Sequence, residues 1–437
     1  MTDTRSNGVL GRVKWRLLPI AMLMFFMSLL DRTNISIAAL DMGTDLGLSL
    51  RQYGLAASIF YAGYFVFEIP SNFALQKVGA RVWLARIMVT WGVVVIAHAV
   101  VADDTSLYVV RFLLGVAEAG LLPGLVLYLS MWLPARERGL VFGTLLSTTA
   151  LAYAAGAPFT AWLMTFSVLG LKGWQTMYVV QGVLTVGVGF AALMMLPSWV
   201  SDATWLTPQE KDWLQRELDA DEARKKAAGA TTLRQGFLDV RVLMTTATCF
   251  FLLCVNFGTV LFLPQILKLA FPAFTNLQIS ALVSAAFATG GVAGILWGRH
   301  SDRTGDRKWH MAAGAVLGAV GFAGAAAAAG MPALQFAAIC VAVMGIWAIF
   351  GAFWAYAGDL LGGAAAAGGL AVINSIGSLG GFLAPNLLAW ATAKSGSTTG
   401  SLLVLSAFAV LTAVVAAALP TMPREGAGAT SSGASRP

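Results

Sequence analysis

Apolar runs of about 20 residues or more recur along almost the whole chain, and about 20 is the length a helix needs to cross the hydrocarbon core of a bilayer. Twelve are counted, at about 15–39, 51–76, 80–102, 105–131, 138–164, 173–196, 240–264, 277–298, 309–329, 332–356, 364–393 and 400–420. One long polar stretch, 197–239, divides them six and six. Within it Thr207, Pro208 and Glu210 open a helix with Pro at its first position and the Thr–Glu pair of a capping box, and Trp213, Leu214 and Leu218 follow at helical spacing. The pattern predicts an all-α membrane protein of 12 transmembrane helices. A tail over 1–14 precedes a six-helix bundle over 15–196. A central loop over 197–239, with a short amphipathic helix and an AAGATT linker, leads to a second bundle over 240–420 and a disordered tail over 421–437. Two six-span halves joined this way suggest parallel repeats related by an axis along the membrane normal.

Hydrophobic residues make up 58% of the chain and charged residues 11%, against about 25% charged in soluble domains. The net charge of +7 does not point to nucleic acid, because the cations are sorted by side. With the N-terminus in the cytoplasm, Arg51, Lys172, Lys268 and Lys394 fall outside, Arg32 and Arg111 fall inside spans, and every other Lys and Arg is cytoplasmic. That asymmetry is the positive-inside rule; it places both termini in the cytoplasm and makes the basic excess a topology signal. Arg5, Arg12, Lys14 and Arg16 resemble the basic region of a signal peptide, but the apolar run behind them is too long and lacks a small-residue cleavage site, so it reads as a retained first helix. Cys249, Cys254 and Cys340 fall within spans without metal-ligand spacing and read as apolar filler.

Four charges interrupt these spans: Asp31 and Arg32 in the first, Arg111 and Glu118 in the fourth. Each costs about 2.5–3.5 kcal/mol at bilayer depth on insertion scales, and a hydrated, bundle-facing cavity is the usual reason for such charges. Arg111 and Glu118, seven apart, share one helix face with about 10 Å of rise between them, too far for an ion pair along the helix surface. Arg32 and Arg111 come out at comparable depth and are expected to converge in one cavity as a paired-arginine site for an organic anion, since guanidinium offers planar bidentate donors to a carboxylate. Asp31 is expected to stay ionised beside Arg32. A carboxyl group such as Glu118, whose hold on a proton depends on water access and on the nearby arginine, can couple proton binding to substrate binding. The alternative is a static network in which the acids neutralise the arginines and brace helices 1 and 4, a costly use of four buried charges.

The loop between spans 8 and 9 runs Gly298, Asp302, Arg303, Gly305, Arg307 and Lys308 in the pattern G-x-x-x-D-R-x-G-x-R-K, and a degenerate copy, Asn72, Gln76, Lys77, Gly79, Arg81, stands between spans 2 and 3. Glycine suits the tight reversal, and the Asp–Arg pair is placed to bond a neighbouring helix and latch the cytoplasmic face. Over the whole chain this loop, its copy and the twelve-span layout resemble the major facilitator superfamily. Asp31-Arg32-Thr33-Asn34, the stretch from Tyr61 through Tyr64 and Glu68 to Asn72, Arg111 to Gly120, and Asn374-Ser375 to Phe382 resemble its anion:cation symporter branch, whose members carry galactonate, tartrate, phthalate and related anions. Asn72 for Gly and Gln76 for Asp depart from the superfamily loop pattern, so a salt-bridge latch in both halves does not follow. The resemblance implies proton-coupling roles for Asp31 and Glu118, attendance on the substrate carboxylate by Arg32 and Arg111, and ligand contact by Tyr64.

Tyr61, Tyr64 and Glu68 share a face of span 2, with Glu68 expected to cap or bond another helix. Asn374 and Ser375 are candidates for substrate hydroxyls or for helix–helix bonding, and Trp354, with Trp347 and Phe353 behind it, for the cavity wall. His98, His300 and His310 receive no proton role. Gly156-Ala157-Pro158 and the Gly381 to Pro385 stretch mark expected kinks. The reading is a monomeric symporter of a bacterial inner membrane that imports a sugar acid, a hydroxy-diacid such as tartrate or an aromatic carboxylate, with protons as coupling ion and no other cofactor. An anion exchanger or efflux antiporter is the alternative on the same fold. A membrane-embedded enzyme is disfavoured, since no zinc motif, Ser/His/Asp constellation or phosphate loop is found.

Overall fold

The computed structural model describes residues 2–227, 239–361 and 365–421. Most of the AAGATT linker and the tail beyond Thr421 lie outside them. The first half comprises α1 (Thr2–Asp45), α2 (Leu50–Val78), α3 (Ala80–Ala97), α4 (Asp104–Glu118), α5 (Leu121–Ser130), α6 (Ala135–Leu163) and α7 (Gly173–Met195). A connecting helix, α8 (Pro208–Ala227), precedes α9 (Val240–Ala270), α10 (Asn276–Thr304), α11 (Lys308–Ala327), α12 (Pro332–Leu361), α13 (Ala365–Ser378), α14 (Gly380–Ser395) and α15 (Thr398–Ala418). Eleven of the spans are long and apolar enough to cross a membrane on hydropathy alone, with α4 and α5 together making one of them. The twelfth traverse is α2, 29 residues long but diluted by Glu68, Asn72 and Gln76. With twelve traverses Thr2 and Thr421 end on one side, called here the near face; the other is the far face.

Each half packs on its own helices: α3 against α7, α2 against α4 and α1 against α6 in the first, and α11 against both α12 and α15, with α10 against α12, in the second. The halves meet along α2–α14, α6–α10 and α1–α9. Small residues set the closest approaches, as expected where helices associate without a hydrophobic drive between them. A Cβ at Gly115 would lie 2.0 Å from the carbonyl oxygen of Phe60, and one at Gly63 would lie 2.5 Å from that of Phe112, so α2 and α4 touch backbone to backbone. Gly115→Leu is therefore expected to force those helices apart and to cost about 3 kcal/mol or more, read as a fall in thermal midpoint of the detergent-purified protein. An unchanged midpoint would contradict this packing.

The reversals carry the expected glycines: Gly79 sits at φ 94° between α2 and α3, and Gly305 at φ 66° between α10 and α11. The breaks fall elsewhere than expected. The helix α6 runs through Pro158 without interruption, since proline removes only one internal hydrogen bond. The fourth span instead breaks directly after Glu118, where Ala119 leaves the helical region and Gly120 takes φ 87°, close against Ser71. The eleventh breaks at Leu379, ahead of the Gly380–Gly381 pair, and α14 passes through Pro385. On the near face, Thr207 and Glu210 close the capping box at the start of α8, and Glu210 also pairs with Arg12 of α1. The backbone bond at Thr207 and that guanidinium hold the Glu210 carboxyl below its ordinary range.

Candidate functional site

The helix α1 delivers Ser28 and Arg32 on one face, four residues apart, toward the break in the fourth span. Arg32 donates Nε to Glu118 Oε1 at 2.5 Å, and Ser28 Oγ donates to the same oxygen at 2.9 Å. Glu118 is fully buried, whereas the Arg32 side chain keeps 16% of its surface exposed. The second oxygen, Glu118 Oε2, has no partner among the described residues. The Arg32 guanidinium lies 4.7 Å from the centre of the Tyr64 ring and 5.5 Å from that of Phe60, a cation–π cradle on α2.

Asp31 points elsewhere, because successive residues on a helix diverge by about 100°. Its oxygens accept from Asn34 Nδ2 at 3.2 Å and Thr185 Oγ1 at 3.0 Å, and Asn34 donates onward to Gln181 Oε1 at 3.0 Å. Asp31 thus ties α1 to α7, and the acid paired with Arg32 is Glu118, not its neighbour. Arg111 is also set apart. Fully buried, it donates Nε to the carbonyl of Ala56 at 3.1 Å and Nη2 to that of Ala57 at 3.5 Å, with Nη1 unpartnered. The glycine crossing of α2 and α4 brings those carbonyls within its reach. The expected two-arginine clamp is not assembled in this structure: both guanidinium groups border Phe60, at 5.5 and 5.2 Å from its ring centre, but only Arg32 meets open space.

The opposite wall comes from the second half. Ser375 donates to Glu68 Oε2 at 2.7 Å, a helix–helix bond across the halves, so in this structure its hydroxyl is taken up by Glu68. Tyr64 is buried beneath Arg32; Asn374 and Trp354 are half-buried, with Trp354 edge-on to Phe353 at 5.1 Å. Tyr153 of α6 reaches across to Phe287 at 5.2 Å and Trp347 at 5.8 Å, close to a narrow cleft that Asn256, Thr259, Phe287 and Trp347 line. At the near-face loop Asp302 pairs with Arg307 of the same loop, not with a neighbouring helix, while Arg303 is exposed. The Gly305 turn folds Arg307 back onto Asp302, and a Cβ at Gly298 would meet no neighbour, so no close approach requires glycine there.

Sequence reasoning missed Ser28, Phe60, Thr185, Gln181 and Tyr153. The one available signal was the i, i+4 spacing of Ser28 with Arg32 and of Phe60 with Tyr64.

Besides the Ser375–Glu68 bond toward the near face, further hydrogen bonds between the halves lie from the far face to the middle. Asn276 Nδ2 donates to Asp41 at 2.7 Å, Gln265 Nε2 to the carbonyl of Ser36 at 2.8 Å, Tyr53 Oη to that of Leu261 at 2.5 Å, and Asn386 Nδ2 to Ser58 Oγ at 2.7 Å. The far side is therefore sealed. Cysteines replacing Asp41 and Asn276 are expected to cross-link and stop transport until reduced, measured as uptake before and after dithiothreitol; full uptake by the cross-linked protein would show that this seam need not open.

This geometry is that of a two-bundle transporter with a charge pair at its centre. The Major Facilitator Superfamily model matches residues 21–385, and the chain belongs to that family. It is 39% identical over 416 residues to an Agrobacterium vitis protein named "Putative tartrate transporter", covering 95% of this chain and 92% of that one. It is 33% identical to the quinolone resistance transporter of Acinetobacter baumannii over 402 residues, 92% of each chain. A solved structure of a bacterial homologue of the human lysosomal transporter Spinster, inward-facing and unoccupied, superposes with a TM-score of 0.74 at 16% identity, covering 93% of this chain and 96% of that one. The chain is a multi-pass membrane transporter of a small molecule and not an enzyme.

Proposed function

We propose that the protein is a proton-coupled symporter of the anion:cation branch that imports a small organic anion through alternating access of its two halves. One observation carries the reading: a buried acid, Glu118, holds the single intramembrane arginine that retains exposure. Two buried opposite charges are tolerable only as a neutral unit. When Glu118 takes a proton, Arg32 loses its counter-ion and its fork is free for a substrate carboxylate. Arg32⁺ is then balanced either by Glu118⁻, or, when Glu118 is protonated, by one carboxylate of the bound anion; the second carboxylate of a diacid faces the positive potential of Arg111 or a second proton at Asp31. Proton and anion therefore enter and leave together, which is symport. Asp31, bonded to Thr185 and Asn34, is the second candidate proton site, and Arg111 beyond Phe60 supplies fixed positive potential to the same region.

The names of the tartrate-transporter relatives support a hydroxy-diacid over a sugar acid or an aromatic carboxylate. The sorted cations support a cytoplasmic near face, as in a bacterial inner membrane, and the bonds between the halves toward the far face support an inward-facing state. Uptake into proteoliposomes under an inward proton gradient tests the reading. Tartrate is expected to accumulate, faster as the external pH falls until the substrate itself is protonated. The resistance-transporter relative favours a second reading, proton-driven efflux, and flux out of the vesicles against that gradient would establish it instead.

A further inference from the structure

We propose that a pocket on the near face is a binding site for the phosphate of an anionic phospholipid, separate from the transport site. A cavity of about 660 Å³ opens where the start of α1 and of α3 meets the end of α7 and the segment after it. Its lining includes Trp15, Arg16, Arg81, Met194, Asp202 and Trp205.

The state of its charges argues for an anion. Several basic residues of this face find acids: Arg12 pairs with Glu210, Lys14 with Glu137 at 2.9 Å and Arg136 with Glu217 at 2.9 Å. The two arginines of the pocket do not. Arg16 has no acidic partner among the described residues, and its guanidinium lies 5.4 Å from the centre of the Trp205 ring, which orients it without neutralising it. Arg81 spends only Nε, on the carbonyl of Leu193 at 2.6 Å, leaving both Nη groups without a protein acceptor among the described residues. The acid in the lining, Asp202, accepts from the backbone of Trp199 and from Ser201 Oγ, each at 3.1 Å, and the lining carries two positive charges against one negative. Two guanidinium groups with spare donors, facing one cavity, suit a phosphate oxyanion.

The rim argues for a lipid as its source. Trp15 is 81% exposed and Met194 76% exposed, and Met195 and Val82 beside them are also exposed, on helix ends that stand at the edge of the bilayer. A headgroup seated between Arg16 and Arg81 would leave its acyl chains against this apolar rim, while an aromatic at the interface marks the depth at which headgroups lie. Basic pockets between helix ends are where anionic headgroups are held. Such a lipid would tie α1, α3 and α7 to the segment leading into α8.

The test is thermal unfolding of the full-length, detergent-purified protein, followed by tryptophan fluorescence, with phosphatidylglycerol, phosphatidylcholine or inorganic phosphate added in turn. Phosphatidylglycerol is expected to raise the midpoint by about 3 °C or more, phosphatidylcholine by less, and inorganic phosphate not at all. The double variant R16Q/R81Q should lose the phosphatidylglycerol shift, R16K/R81K should keep part of it, and K77Q, which removes a cation elsewhere on this face, should keep it whole. Circular dichroism of each variant without lipid checks folding, and native mass spectrometry counts bound lipid in the folded variants. Equal shifts with the two phospholipids, or an undiminished shift and lipid count in R16Q/R81Q, would overturn the proposal. Full protection by inorganic phosphate alone would show an anion site that does not belong to a lipid.

Discussion

Glu118→Gln is expected to abolish proton-driven accumulation, with the initial rate of uptake falling on the order of a hundredfold, the scale of losing a positioned proton-transfer group. Counterflow exchange of the anion should survive. The amide has the shape of the protonated acid: its oxygen still accepts from Arg32 Nε and Ser28 Oγ, but it carries no charge to compete with a substrate carboxylate. Anion affinity in this variant should therefore cease to depend on pH, whereas in the natural protein affinity is expected to rise as pH falls. Uptake of labelled tartrate against a gradient, alongside equilibrium binding at several pH values, measures both halves of the prediction. Normal concentrative uptake by E118Q would defeat the assignment of coupling to Glu118.

Arg32→Gln is expected to be at least as severe, and through two separable effects. It removes the guanidinium proposed to meet substrate, and it strands the Glu118 carboxylate in the bundle with Ser28 as its one remaining donor. Removing one member of a buried ion pair costs about 3–5 kcal/mol, so R32Q should unfold at a lower temperature and bind no anion. The double variant R32Q/E118Q leaves no stranded charge and should regain most of the thermal stability while remaining unable to bind or transport. R32K keeps the charge but loses the planar fork, so its defect should appear mainly as weakened binding. Wild-type anion affinity in R32Q would eliminate Arg32 as the substrate anchor, whatever happened to stability.

The static-bracing alternative predicts a different pattern. If the Arg32–Glu118 pair only held α1 to α4, R32Q/E118Q would recover transport together with stability. The geometry weighs against this, because a brace has no need for a partner that reaches open space, and Arg32 is the one of the four charges that does.

Much of the protein was legible in the chain. Length and continuity of the apolar runs were enough for twelve traverses, because a bilayer accepts only helices whose backbone bonds close within the segment. The central loop with its Thr207 box and the turn glycines Gly79 and Gly305 are local properties, written in a few consecutive residues. The four intramembrane charges were conspicuous for the same reason: the Asp31–Arg32 pair, Arg111 and Glu118 interrupt runs that are otherwise apolar. The glycines around Glu118, Gly115 and Gly120, serve close packing and the break in the fourth span.

The sequence by itself determined which side chains are costly to bury and along which helix they lie; the tertiary structure alone decided which of them meet. Adjacency in the chain suggested that Asp31 would serve Arg32, but one step along a helix turns the side chain by about 100°, so Asp31 went to α7 and Arg32 to α4. Equal depth suggested that Arg111 would join Arg32, yet depth says nothing about azimuth, and the close crossing at Gly63 and Gly115 offered Arg111 the carbonyls of α2 instead. Pairing across helices depends on rotation and on approach distance, two quantities that no single segment encodes.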